Sequence, residues 1–194
     1  MKTLIVFDFD DTLFYSGAKI GVQKRGETKR YLTSHEYAGY TPDEGEEFDY
    51  EQFHVYPPDP QPIDHTTKKL RSSVFRHGLE NVIILTARSA EGPVMKVLQN
   101  FAMPPVEILA IGSSNPEHKA DAIENLVKEN LYDSVIVYED SAANIQAIRK
   151  RLKPILGDNF SAFKVKASPK GEVIQQEKLV RGLRVFQKAL KFCD

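Results

Sequence analysis

The sequence predicts an α/β protein: a doubly wound, mostly parallel sheet of five strands, with a small insertion after the first strand. Three observations carry that reading. Short apolar runs at 4–7, 82–85, 108–111 and 135–137 are continuous rather than alternating, as expected of strands covered on both faces. Helix-like segments separate the later runs, so strand and helix alternate at the spacing of βαβ crossovers. The interval from Asp11 to Asp64 breaks this rhythm and is far longer than an ordinary connection of about 2–6 residues.

Taken in order, the run at 4–7 is the first strand. The insertion, 15–64, contains a short helix around 34–40, the acidic stretch 43–47 and a proline-rich run over 56–62. Its aromatics (Tyr31, Tyr37, Tyr40, Phe48, Tyr50, Phe53 and Tyr56) imply that it packs rather than trails in solvent. A helix over 67–77 places Leu70, Val74 and Phe75 inward, with Lys68, Lys69, Arg71 and Arg76 around the other side. After the strand at 82–85 comes a helix over 93–101 carrying Val94, Val97, Leu98 and Phe101, with Ser89 as its N-cap. The strand at 108–111 leads to a helix over 117–130 with Ala120, Ile123, Leu126 and Val127. The strand at 135–137 leads to one over 141–152 with Ala142, Ile145, Ile148 and Leu152. A fifth strand over 162–167, a turn at 168–171 and a closing helix over 176–192 complete a single domain of 194 residues.

Composition excludes several classes. Lys and Arg total 26 against 27 Asp and Glu, which argues against a surface wholly adapted to nucleic acid. Unbroken apolar stretches reach four residues, against the roughly 20 needed to span a membrane. The amino terminus runs directly into a strand with no apolar signal region, so the expectation is a cytoplasmic protein without membrane association. The single cysteine, Cys193, permits neither an intrachain disulfide nor a cysteine-based zinc site.

Four strand ends carry chemistry. In Val6-Phe7-Asp8-Phe9-Asp10-Asp11-Thr12, Asp8 and Asp10 lie two apart and face the same way, at the carboxyl edge where open parallel sheets bind ligands. Thr86-Ala87-Arg88 closes the second run with a hydroxyl followed by backbone N–H groups, a pairing suited to a phosphoryl oxygen. Lys119 opens the helix after the third run, where the helix dipole opposes a cation and facing acids would compensate. Glu139-Asp140 ends the fourth run and supplies a second carboxylate pair, a set of hard oxygens suited to Mg²⁺. Each signal alone has a plainer reading: solvated acids, a local hydroxyl cap, a free surface lysine. Their placement at one edge of one sheet is what caps do not explain. His118 reads as a surface or packing residue rather than a ligand, there being no second histidine at ligand spacing.

These residues resemble the four motifs of the haloacid dehalogenase (HAD) superfamily of phosphotransferases, in order and over residues 3–150. Asp8-Phe9-Asp10-Asp11-Thr12 matches the first, Thr86 the second, Lys119 the third and Glu139-Asp140 the fourth. The resemblance implies a HAD-like Rossmannoid core and a Mg²⁺-dependent phosphohydrolase. Asp8 is then the nucleophile that forms an aspartyl-phosphate, and Asp10 the acid and later the base. Thr86, with the amides of Asp10 and Ala87, would hold the phosphoryl oxygens, and Lys119 would offset the gathered charge. Asp8, the Asp10 carbonyl and Asp140 would hold Mg²⁺, with Glu139 in support. Arg88 is the candidate for a substrate-facing charge. Glu139-Asp140-Ser141 looks like the β-phosphoglucomutase-like branch, but Asn144 stands where that branch often has glycine, so its sugar specificity is not carried over.

The insertion lies where members of the superfamily place one type of cap. Its small size suits a lid over a partly open cleft and a bulky phosphorylated substrate, rather than the enclosure a phosphomutase needs. A phosphorylated small molecule is the general expectation for the substrate. A nucleotide or nucleic-acid end in repair is the alternative, with the basic run Lys68, Lys69, Arg71, Arg76 and His77 as its contact or simply as a solvated helix face. A non-catalytic module that binds a phosphorylated partner is the rival of another class, and the presence of both Asp8 and Asp10 speaks against it. A response-regulator receiver would need an acceptor aspartate where this chain has Thr86. On the lid reading, deleting residues 38–60 spares turnover of a small aryl phosphate by the folded protein; loss of that turnover with the fold intact would exclude it.

Overall fold

The computed structural model describes residues 1–38, 40–166 and 173–176. Strand β1 (Thr3–Phe7) is followed by the elements of the insertion: β2 (Phe14–Tyr15), β3 (Lys19–Lys24), β4 (Arg30–Thr33), the short helix α1 (Ser34–Ala38), β5 (Glu46–Asp49) and β6 (Gln61–Pro62). The alternating part then runs α2 (Asp64–His77), β7 (Val82–Thr86), α3 (Glu91–Asn100), β8 (Glu107–Ala110), α4 (Pro116–Asn130), β9 (Ser134–Glu139), α5 (Ala142–Leu156) and β10 (Phe160–Lys166), with β11 (Val173–Gln176) last.

Five parallel strands stand in the order β10-β9-β1-β7-β8, a Rossmann-like α/β core. The chain builds outward from β1 through β7 to β8, then returns to β1's other side for β9 and β10. Strand order therefore reverses beside β1, and a crevice opens there at the carboxyl ends of β1 and β9. Alternate residues of each apolar run face different layers. Leu4, Val6, Ile83, Leu85, Val135 and Val137 pack with Ala120, Ile123 and Val127 of α4 and Ile145, Ile148 and Leu152 of α5. Ile5, Phe7, Val82 and Ile84 pack instead with Leu70 of α2 and Val94, Val97 and Leu98 of α3. Burial on both faces is why these runs lack polar alternation.

Register is marked by an aromatic row. Phe7, Tyr138 and Phe163 are direct partners across β1, β9 and β10, and their rings stack with centroids 4.6 and 5.0 Å apart. The next residues along are Asp8 and Glu139.

The sheet has a sixth strand that the sequence reading does not contain. β11 pairs antiparallel with β10, and its last residue, Gln176, is the first residue of the expected closing helix. The rest of that helix, the turn at 168–171 and Cys193 lie outside the described residues. On α2, Leu70 is buried and Val74 partly so, but Phe75 is 91% exposed, against expectation. Five residues past Leu70, it sits about 140° around the helix and off the stripe of Thr66, Thr67, Leu70 and Ser73. Ser89 does not cap α3; the cap position is Ala90, without a side-chain hydrogen bond.

The insertion is organised by two small sheets. β2 pairs antiparallel with β6, so the chain leaves and re-enters the core through adjacent strands. β3 is the centre of an antiparallel three-stranded sheet, β4-β3-β5. Tyr37, Tyr40, Phe48 and Tyr50 pack on one another with ring centroids 5.3–6.4 Å apart. The Tyr40 hydroxyl (2.6 Å), the Asp43 amide (2.9 Å) and Arg30 all donate to Glu46, and these bonds hold its carboxyl down at about 2. Among the described residues, no helix is long and apolar enough to cross a membrane.

Leu70→Ala is expected to cost about 2–5 kcal/mol in urea-denaturation free energy. Phe75→Ala should stay within about 0.5 kcal/mol of the parent. A comparable loss for both would contradict the placement of α2.

Candidate active site

β1 delivers Asp8 to the crevice. Its amide donates to Tyr138 O at 2.9 Å, so pairing with β9 continues one residue past the strand. Phe9 turns into the core and Asp10 returns to the crevice side. The chain then folds back tightly: Leu13 N and Phe14 N both donate to Phe9 O at 3.0 Å, and Asp11 N donates to Phe14 O at 2.9 Å. That reversal requires a left-handed residue, and Asp11 adopts φ 55°, a conformation aspartate tolerates better than most side chains. Ile63 N donates to Leu13 O at 2.9 Å and the Thr66 hydroxyl to Thr12 O, which fastens the re-entering chain to the same loop.

Lys119 is brought in by α4. Asn115 caps that helix, its Oδ1 accepting from Glu117 N at 3.1 Å, and Pro116 occupies the first helical position. The ammonium is buried and donates to Asp8 Oδ1 at 2.6 Å and to Glu139 Oε2 at 2.8 Å. Glu139, 2% exposed at the end of β9, also accepts from Ser141 N at 3.1 Å through Oε1. Asp140 follows it at the mouth of the crevice, before α5, whose cap is Ser141 accepting from Asn144 N at 3.3 Å.

Asp8, Glu139 and Asp140 each offer an oxygen within 4.8 Å of the others. Three acids thus cluster where a single ammonium bonds two of them, Asp8 and Glu139. Burial pushes Asp8 up to about 7 in spite of the Lys119 charge, with Glu139 and Asp10 adding to the rise. Burial also raises Asp140 well above the carboxylate range, reinforced by Glu139 and Asp8. Burial alone would raise Glu139 too, but Lys119 outweighs it and the carboxyl is lowered. The reverse holds for Lys119, where burial would lower the ammonium and Asp8 and Glu139 hold it above its ordinary range. Close-set acids whose ionisation is opposed in this way ionise together when a cation joins them, and the all-oxygen set fits a hard divalent cation such as Mg²⁺.

Thr86 ends β7, is buried, and its Oγ1 accepts from Arg88 N at 3.2 Å. Ala87 is exposed between them. Arg88 is not presented as a free cation toward a substrate. Its side chain is fully buried, with Nε donating to Asp10 Oδ2 and an Nη to Asp10 Oδ1, both at 2.8 Å. Its other Nη donates to Phe53 O at 3.1 Å and Val55 O at 3.3 Å, both in the insertion. Ser89 bonds the ring of His54 rather than α3. The tie of these insertion residues to Arg88 and Ser89 is not legible in the sequence: Phe53 and Val55 act through backbone carbonyls, and the packing expected of the insertion aromatics does not name Arg88 as the partner of Phe53.

The remaining candidates stand apart. His118 is exposed, as expected. In the basic run, Arg71 donates to Ala102 O (2.9 Å) and Phe101 O (3.1 Å), and Lys68 pairs with Asp64 at 3.2 Å. Those contacts give part of the run a structural role. Comparison of the chain with protein-family models, curated proteins and solved structures yields no match.

Removing the ammonium while keeping its bulk leaves buried carboxylates unpaired. In metal-free buffer Lys119→Met is expected to lose about 3–5 kcal/mol in urea denaturation. A loss below about 1 kcal/mol would mean the acids do not depend on it.

Proposed function

We propose that this chain is a Mg²⁺-dependent phosphohydrolase of the haloacid dehalogenase type, acting on a phosphomonoester through an aspartyl-phosphate. The observation that carries the reading is the meeting of Asp8, Thr86, Lys119 and the Glu139-Asp140 pair at one edge of one parallel sheet. The strand order supports it, since it sets Asp8 and Asp140 on either side of the switch point. The sheeted insertion at 15–64 takes the part of a cap on this reading.

Asp8, Asp140 and the Asp10 carbonyl are the residues to hold the cation, and Glu139 braces them through Lys119. When bound, Mg²⁺ supplies the positive charge that lets an anionic phosphate approach the Asp8 carboxylate. Asp8 attacks phosphorus, forming its O–P bond as the bond from phosphorus to the leaving oxygen breaks. Asp10 gives its proton to that oxygen, whose electron pair would otherwise remain as alkoxide. Asp10, now a carboxylate, takes a proton from the water that attacks phosphorus, releasing inorganic phosphate and restoring Asp8. Lys119, already on Asp8, offsets the charge of the phosphoryl group, and Thr86 with the amides of Asp10 and Ala87 offers donors to its oxygens.

The test is hydrolysis of p-nitrophenyl phosphate with Mg²⁺ and with EDTA, by the parent and by Asp8→Asn. Turnover is expected with Mg²⁺ and not with EDTA, and it should vanish in Asp8→Asn. Metal-independent turnover, or turnover that survives the substitution, would overturn the mechanism. Inertness of the folded, Mg²⁺-supplied protein toward aryl phosphates, nucleotides and phosphorylated oligonucleotides alike would overturn the enzymatic reading.

A further inference from the structure

We propose that Arg88 is a positioning residue that couples the seating of the insertion to the aim of the Asp10 carboxyl. This deepens the phosphohydrolase reading and rests on it. The guanidinium is a rigid planar fork. One edge of it grips both oxygens of Asp10, through Nε and an Nη at 2.8 Å each. The remaining Nη is fixed by the carbonyls of Phe53 and Val55. Phe9 and Phe53 present their rings to the same group, 5.4 and 5.2 Å from its carbon to the ring centres. A plane held by the insertion on one side leaves Asp10 little choice of direction on the other.

The coupling is stiff because Arg88 is fully buried and Asp10 is its carboxylate partner. A buried guanidinium parted from its counter-ion is strongly disfavoured, so the two move together or not at all. The contact between Ser89 and His54 adds a second tether one residue along. When residues 53–55 shift, Arg88 shifts, and Asp10 is carried off line from the leaving oxygen. A carboxylate in this fork keeps one lone pair per oxygen outside the two hydrogen bonds, so Asp10 retains a place for the proton it gives and takes back.

The kinetic signature follows from the leaving group. A p-nitrophenolate departs without a proton, whereas a benzylic alkoxide needs one from Asp10. Matched esters, p-nitrophenyl phosphate and p-nitrobenzyl phosphate, separate aim from general damage. Arg88→Lys keeps the charge and loses the fork; Phe53→Ala removes an insertion contact to the guanidinium and leaves Arg88 in place. Both are expected to lower kcat/KM for the benzyl ester about 10–100-fold and to change the phenyl ester by about threefold or less. Asp10→Asn should lower kcat/KM for the benzyl ester further still, and kcat should fall on both esters because the hydrolytic water then lacks its base. Coupling is reciprocal, so Asp10→Asn should also speed backbone amide exchange over residues 48–55 in the absence of substrate. Equal losses on both esters in the two variants, or a gain on the benzyl ester, would overturn the proposal, as would unchanged exchange over 48–55. If Arg88→Lys fails to fold, Phe53→Ala and the exchange measurement decide alone. Parent turnover with equal losses sinks the role of Arg88 and leaves the phosphohydrolase reading standing; a parent that hydrolyses neither ester sinks both.

Discussion

The ammonium of Lys119, buried between Asp8 and Glu139, ties together three elements that are remote in sequence. Its partners are separated from it by 111 and 20 residues. The amino end of α4 offers it an unfavourable helix field, so its charge is tenable there only because β1 and β9 both bring carboxylates. A buried ion pair contributes little net stability, but an arrangement that leaves one member unpaired is costly. The interaction therefore acts as a constraint on register. Phe7, Tyr138 and Phe163 stack directly opposite one another, and one residue further Asp8 and Glu139 fall on either side of Lys119. A slip of β9 by one residue would turn Glu139 to the other face, away from Lys119, and leave both charges buried without their partner.

The insertion enters and leaves this centre by way of the same loop. Asp11 makes the left-handed turn that sends the chain into β2, and the β2–β6 pair brings it back beside its point of departure. The bonds from Ile63 N to Leu13 O and from Thr66 to Thr12 O fasten the start of α2 to that turn. Because the neck is narrow, fifty residues are accommodated without disturbing the pairing of β1 with β7 and β9. The aromatic contacts of the insertion are largely internal, among Tyr37, Tyr40, Phe48 and Tyr50. Its contact with the crevice runs instead through residues 53–55: the backbone carbonyls of Phe53 and Val55, the Phe53 ring on Arg88, and His54 on Ser89.

How much of this was legible in the sequence follows from how each feature is encoded. Strands buried on both faces announce themselves as unbroken apolar runs, and the acids that close two of them are visible without any knowledge of packing. Helices α3, α4 and α5 carry their apolar residues at helical spacing and fall within a few residues of expectation at their ends. Phe75 departs from expectation because an aromatic beside Val74 looks like core until the angle from Leu70 is counted around the helix. Ser89 looks like a cap by residue type, yet its hydroxyl is taken by His54, a partner 35 positions away. The strand β11 is four residues long and half glutamine, with no periodic signal of its own. The sheet β4-β3-β5 is set by pairing among short segments rich in charge, where alternation is too brief to register. Arg88 reads as a candidate substrate-facing charge because sequence displays its charge and not the Asp10 carboxylate and the carbonyls that hold it.

Two carboxylates two residues apart have been given two different cations, and the difference is chemical. Asp8 faces a lysine, a compact charge that takes one oxygen; with all three acids ionised, Asp8, Glu139 and Asp140 would be two charges short of neutral. That shortfall suits a divalent ion, and a second fixed cation in the cluster would work against one. Asp10 faces an arginine, whose fork takes both oxygens and neutralises the group as a pair once Asp10 has given up its proton. A carboxylate balanced in this way adds little net charge to the crevice, so on the proposed reading it would not compete with Asp8 and Asp140 for a cation. Exchanging the two would leave the ion cluster with a bulky fork and the acid with a flexible point charge. The separation of charge from aim thus follows from placing lysine on a helix that faces the strand ends and arginine in a loop that faces the insertion.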